Sequence, residues 1–144
     1  MDKRLVAAAF LAVTAAPVMV SPVMAMQAGN AGFEEVKGGK FPAPFIGKWA
    51  TERAACLDQK GNAALLWDIH AKGVRQADGA GTLVSLAQSS ANDREYQVVM
   101  RYEGGGGASE ARQLWRLSIN EQQIIIANAS GASGGGTRSL YRCR

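Results

Sequence analysis

The residues with the clearest chemical potential are Asp68 and His70, which lie two positions apart in a predicted strand and therefore share one face. A carboxylate beside an imidazole can orient the histidine as a general base, provided that a nucleophile lies within hydrogen-bond reach. The sequence places no serine or cysteine beside this pair, and His70 is the single histidine of the chain. We therefore interpret both residues as part of a solvated outer face and predict no catalytic residue, with an enzyme kept as an alternative.

Sequence motifs that bind metals, phosphates or nucleic acids are not found. The chain has no His-x-x-x-His or Cys-x-x-Cys spacing, so neither a metal nor a cofactor is predicted. The run Gly104–Gly107 leads into Ala-Ser-Glu, whereas a phosphate loop requires Gly-Lys-Ser/Thr at a helix start. The formal net charge of +4 is spread along the chain without a Lys/Arg cluster, which argues against a nucleic-acid partner.

The N-terminal segment has the pattern of a cleavable signal peptide. A short basic start is followed by the apolar run Leu5–Val20, which two prolines limit before Val23-Met24-Ala25. We place the cleavage after Ala25, so that residues 1–25 are removed and the protein is exported to the periplasm or secreted. An uncleaved membrane anchor is the alternative, because the apolar run with its flanks approaches the length that spans a bilayer.

The two cysteines of the chain, Cys56 and Cys143, are predicted to form a disulfide. Exported proteins fold in an oxidising compartment, where paired cysteines are normally bridged. A Cys–His nucleophile pair is the functional alternative. The disulfide would close almost the whole domain and would bring its first and last strands together.

Residues 26–44 are predicted to be a flexible N-terminal arm that precedes a domain at residues 45–144. The arm is rich in Gly, Lys and Pro, and Phe41-Pro42-Ala43-Pro44 favours an extended backbone. A disordered terminus and a segment that reaches a partner are both compatible with this composition.

The domain itself is predicted to be all-β. Seven or eight short runs alternate between apolar and polar residues and are separated by turn residues, without an amphipathic helix. The expected architecture is a small antiparallel up-and-down β-barrel closed by the disulfide. The reason is that Cys56 follows the first strand and Cys143 ends the last, so a disulfide brings these two strands together. A β-sandwich is the alternative. The expected inward side chains include Trp49, Trp67, Tyr96, Met100, Trp115 and Ile119.

The stretch Gly47-Lys48-Trp49 resembles the Gly-x-Trp of the first strand in lipocalin-like, or calycin, barrels. The resemblance implies that Trp49 packs at the closed end of the barrel beneath a basic side chain of the last strand, for which Arg138 and Arg142 are the candidates. A guanidinium over an indole face gains about 0.5 to 2 kcal/mol. The overall layout is similar to small exported β-barrels of proteobacteria, and more distantly to periplasmic inhibitors of proteases and lysozyme.

These features predict a monomeric, non-catalytic binding module of the cell envelope, with a small ligand or an envelope or secreted protein as its partner. Trp67, Tyr96, Met100 and Trp115 either contact the ligand or fill the core, since the interior of a small barrel holds little more than side chains or one small ligand. The alternative is an inhibitor of a secreted or envelope hydrolase, a metalloprotease or lysozyme. Its inserting element would be Met26–Pro44 or Gly104–Gly107.

Overall fold

The computed structural model describes residues 32–104, 107–128 and 136–144, which form an antiparallel β-barrel. The predicted signal peptide at residues 1–25 and the first part of the predicted arm, residues 26–31, lie outside the described residues. Over the described ranges, no helix has the length and apolar character needed to cross a bilayer.

The secondary structure consists of strands and short 3-10 turns. The strands are β1 (Phe33–Glu35), β2 (Gly47–Ala50), β3 (Leu66–His70), β4 (Gly73–Gln76), β5 (Gly79–Ser89), β6 (Glu95–Gly104), β7 (Gly107–Leu117), β8 (Gln123–Asn128) and β9 (Arg138–Arg142). The 3-10 turns span Ala43–Phe45, Arg53–Cys56 and Ala63–Leu65.

Strands β2 to β9 close into the predicted up-and-down barrel. Each strand pairs antiparallel with its neighbour in sequence, and β9 returns to pair with β2. Closure satisfies the backbone groups that an open sheet would leave unpaired along its edges. The prediction of an all-β barrel is therefore confirmed, and the sandwich alternative is not adopted.

The seam between β2 and β9 carries the predicted disulfide. Trp49 lies opposite Arg142 in the register, and the Cys143 amide donates a hydrogen bond of 2.9 Å to the Lys48 carbonyl. The Cys56 and Cys143 sulfur atoms are 2.02 Å apart, and 87 positions of sequence separate the two residues. The bridge thus joins the chain segments that follow the first and last barrel strands, as expected from the sequence.

The predicted arm is part of the fold over its described residues, which corrects the boundary at residue 45. Strand β1 pairs with the end of β5, and the Phe41 amide donates to the Ala71 carbonyl at 2.9 Å. Phe41 is only 3% exposed and stacks on Trp115 with 5.1 Å between the ring centroids. Burial of this ring, together with the backbone hydrogen bonds, offsets part of the conformational entropy that ordering the segment costs, and the segment docks on the barrel.

One inward position was predicted wrongly. Ile119 is 85% exposed, because β7 ends at Leu117 and the chain leaves the barrel there. The Arg94 guanidinium holds this departing segment by donating to the carbonyls of Ser118 and Ile119. The remaining inward side chains form one core that contains Phe41, Phe45, Trp49, Trp67, Ile69, Val74, Leu83, Leu86, Tyr96, Val98, Met100, Trp115, Leu117, Ile124, Ile126 and Leu140.

Replacing Phe41 with alanine tests whether the arm belongs to the core. We expect Phe41→Ala to lower the free energy of unfolding by about 3 to 5 kcal/mol, because it empties a buried aromatic site. Leu57→Ala is the control, since Leu57 is 91% exposed and its truncation should change stability by less than about 0.5 kcal/mol. Urea denaturation of both variants measures the difference. Equal stability of the two would show that the arm is not docked.

Candidate functional site

One end of the barrel is closed around Trp49. This side chain is fully buried, and its indole N–H donates a hydrogen bond of 2.8 Å to the Phe45 carbonyl. The Arg142 guanidinium carbon lies 4.3 Å from the centre of the indole. The same guanidinium donates to the carbonyls of Glu121, at 2.9 Å, and Pro44. Arg142 therefore covers Trp49 and ties the last strand to the segment before the first barrel strand.

The second candidate arginine, Arg138, lies towards the opposite end. It precedes Arg142 by four residues on β9, so it faces the same interior about 13 Å further along the strand. Its guanidinium carbon is 5.5 Å from the ring centre of Trp67. Of the two arginines predicted to pack on Trp49, Arg142 takes that position, and Arg138 covers a different tryptophan.

Beside Arg138 the barrel opens into a cavity of about 450 Å³. Every strand from β3 to β9 contributes to its wall, so the cavity is the open mouth of the barrel and not a surface groove. Its lining consists of Trp67, Gln76, Asp78, Gly79, Ala80, Tyr102, Glu103, Gly107, Ser109, Gln113, Ile126, Asn128, Gly136 and Arg138.

The wall of the cavity is polar because the inward positions change character along the strands. Side chains two apart in a strand point to the same side, so the buried apolar residues identify the inward phase. On four strands, the next inward residue towards the mouth is polar. The pairs are Val74 and Gln76 on β4, Trp115 and Gln113 on β7, Ile126 and Asn128 on β8, and Leu140 and Arg138 on β9.

The Tyr102 ring lies across Gly81 on the neighbouring strand β5. A Cβ atom at Gly81 would lie 2.7 Å from Tyr102 Cε1 and 3.0 Å from Met100 Cε, so any side chain there would displace the tyrosine. Burial raises the pKa of the Tyr102 hydroxyl, and the positive charge of Arg138 partly opposes this effect. The hydroxyl is therefore protonated at neutral pH and can donate a hydrogen bond into the cavity.

The floor of the cavity fixes a second polar group. The Trp115 indole N–H donates a hydrogen bond of 2.9 Å to Gln113 Oε1. Because the carbonyl oxygen accepts this bond, the donor half of the Gln113 amide is turned away from the indole. Trp115 is held in turn by Phe41 and Phe45, whose rings lie 5.1 and 6.2 Å from it. The orientation of Gln113 thus depends on the packed aromatic floor.

The four residues predicted as ligand contacts or core divide between these two roles. Tyr96, Met100 and Trp115 belong to the packed floor, and none of them lines the cavity. Trp67 belongs to the core and also lines the cavity, so it forms the boundary between floor and mouth.

Sequence reasoning missed the polar wall itself. Its residues are Gln76, Tyr102, Ser109, Gln113 and Asn128. The signal was present in the alternation, since each has the same phase as a buried apolar residue of its own strand. The inward side chains predicted from the sequence are all apolar or aromatic, because their phase was not followed to the polar residues at the strand ends.

The Asp68 and His70 pair lies on the outer face, as predicted. Asp68 is exposed and stands between Lys48 on β2 and Arg75 on β4, which are its partners in the register. Both cysteines are bridged, so neither supplies a thiol nucleophile. In the ranges that the structure describes, no group of three or more His, Cys, Asp or Glu side chains is arranged to hold a metal ion.

Comparison with known proteins adds no family to these observations. No family model matches the chain, and no curated protein or solved structure is significantly similar to it. The resemblance of Gly47-Lys48-Trp49 to lipocalin-like barrels therefore stays a prediction that depends on the residues themselves.

The two inward arginines of β9 are expected to differ in their effect on stability. Arg142→Gln should lower the free energy of unfolding by about 2 to 4 kcal/mol, because it removes charged hydrogen bonds and the contact with Trp49. Arg138→Gln should cost less than about 1 kcal/mol, since its contact with Trp67 is at the solvent-exposed mouth. Guanidinium denaturation measures both. A larger loss for Arg138→Gln than for Arg142→Gln would contradict the assignment of the closed end.

Proposed function

We propose that the protein is a non-catalytic binding module that takes a small polar molecule into the open end of its barrel. The observation that supports this proposal is the change of the inward positions from apolar to polar at the mouth. These polar side chains are exposed or half-buried, so their hydrogen-bonding groups are accessible to a ligand that enters the mouth.

The dimensions of the cavity agree with such a ligand. Its volume of about 450 Å³ lies within the range of roughly 300 to 1,000 Å³ that is usual for small-molecule sites. The wall supplies hydrogen-bonding groups on several strands, and the packed floor orients Gln113 through the Trp115 indole. Sites built on rigid strands define the position of a ligand better than sites on loops.

The place of action that we propose is the periplasm or the exterior of the cell. The proposal is supported by the basic start and apolar run of residues 1–25, which have the pattern of a signal peptide. The bridge between Cys56 and Cys143 agrees with it, because disulfides persist in oxidising compartments.

Inhibition of a hydrolase is the second candidate. The observation that favours it is the hairpin of β6 and β7, in which Gly104 pairs with Gly107 and residues 107–110 are exposed at the rim. The other predicted inserting element is less suited, because its described residues dock on the barrel.

Blocking the mouth tests the binding proposal. Ser109→Trp would place an indole at an inward position of the mouth, and Glu110→Trp is the matched control at the next, outward position. Binding is followed by NMR on the three native indole N–H signals, with a panel of amino acids, monosaccharides and short carboxylic acids as probes. We expect a saturable change at Trp67 that Ser109→Trp abolishes and Glu110→Trp retains.

Two outcomes would contradict the proposal. One is the absence of a saturable change at Trp67 with every probe, and the other is unchanged binding in Ser109→Trp. Stoichiometric inhibition of lysozyme or of a secreted metalloprotease, combined with an unresponsive Trp67 signal, would favour the inhibitor instead.

A further inference from the structure

The polar wall of the mouth carries one formal charge at inward positions. Gln76, Tyr102, Ser109, Gln113 and Asn128 are neutral at pH 7, while Arg138 is permanently positive. Two carboxylates, Asp78 and Glu103, also belong to the lining.

The two carboxylates belong to the rim. Glu103 follows the inward Tyr102 on β6 and therefore has the outward phase, where its Oε1 lies 3.8 Å from Arg101 Nε. Asp78 lies in the turn between β4 and β5. The inner wall is thus positive, whereas its entrance is lined by negative groups.

Arg138 has no counterion among the described residues. The ion pairs of the described ranges join Arg101 to Glu103 and Arg116 to Glu95, and no carboxylate of those ranges lies within 4.0 Å of the Arg138 guanidinium. The Trp67 ring stabilises the cation through one face only. The N–H groups in the guanidinium plane remain suited to a planar, bidentate acceptor.

Tyr102 provides a second donor close to this cation. Arg138 lies near enough for its charge to act on the pKa of the Tyr102 hydroxyl, which burial raises and so keeps protonated. A neutral hydroxyl and a guanidinium can both donate hydrogen bonds to the same anionic group. Both residues line the same cavity, so an anionic ligand there would have a guanidinium and a hydroxyl as donors.

We propose that the ligand is a small organic monoanion with a carboxylate group, which supplies the counterion that Arg138 lacks; this inference depends on the proposed binding function. The carboxylate accepts paired hydrogen bonds from Arg138, and the body of the ligand lies towards Trp67. A single negative charge is favoured over two, because Asp78 and Glu103 at the rim repel additional negative charge.

A series of probes with one ring and three charges tests the inference. Benzoate, its neutral analogue benzamide and the cation benzylammonium are titrated into the full-length mature protein at low salt, and the Trp67 indole signal is followed by NMR. We expect benzoate to bind at least about tenfold more tightly than benzamide, since a charge-assisted pair is worth roughly 1.5 to 3 kcal/mol. Benzylammonium should bind most weakly.

Three variants identify the residue responsible. Arg138→Gln should weaken benzoate binding by about 10- to 100-fold and leave benzamide binding unchanged. Arg138→Lys, which keeps the charge but loses the planar fork, should fall between Arg138→Gln and the native protein. Arg112→Gln is the matched control on the outside of β7, where Arg112 is exposed and does not line the cavity, and it should bind benzoate like the native protein.

The outcomes separate this inference from the proposed function. Equal binding of benzoate and benzamide, preference for benzylammonium, or no effect of Arg138→Gln would overturn the anion and leave a binding module intact. The same conclusion would follow if neutral compounds of the wider panel bound and benzoate did not. If neither the series nor the wider panel changes the Trp67 signal, both proposals fail.

Discussion

The pairing of the first barrel strand with the last is the constraint on which the rest of the structure depends. The interactions that join these distant segments include the hydrogen bond from the Cys143 amide to Lys48, the disulfide to Cys56, and Arg142 above Trp49. For a separation of 87 residues, the chain-entropy model gives the disulfide about 4 to 5 kcal/mol as an upper value. Without this seam the sheet would have two open edges, and its inner face would be exposed to water.

Closure also explains how one set of strands provides both a core and a cavity. Once the sheet is a cylinder, every second residue points inward, and its position along the strand decides whether it meets other side chains or the solvent at the mouth. Arg142 and Arg138 show this most clearly. They have the same phase on β9, yet Arg142 is held by backbone carbonyls over Trp49 and Arg138 lies at the mouth over Trp67. Their different roles follow from their positions, which are four residues apart along β9.

The sequence was sufficient for the strands, the closure and the disulfide, because alternation and the position of two cysteines are local signals of those features. It was not sufficient for the arm. Strand β1 pairs with the part of β5 that the short β4 leaves unpaired, and no property of residues 33–35 shows that this part of β5 needs a partner. Phase alone could not tell which arginine reaches Trp49. It also could not show that Gln113 faces a cavity, which requires the register between neighbouring strands.

Amide hydrogen exchange at the seam is the measurement that tests closure most directly. The Cys143 amide, bonded to Lys48, should exchange as slowly as amides in the long β6 and β7 pairing, because opening the seam requires opening the barrel. Exchange of the Cys143 amide at the rate of a frayed terminus, with β6 and β7 still protected, would show an open sheet. In an open sheet the polar residues assigned to the mouth would not face an enclosed cavity.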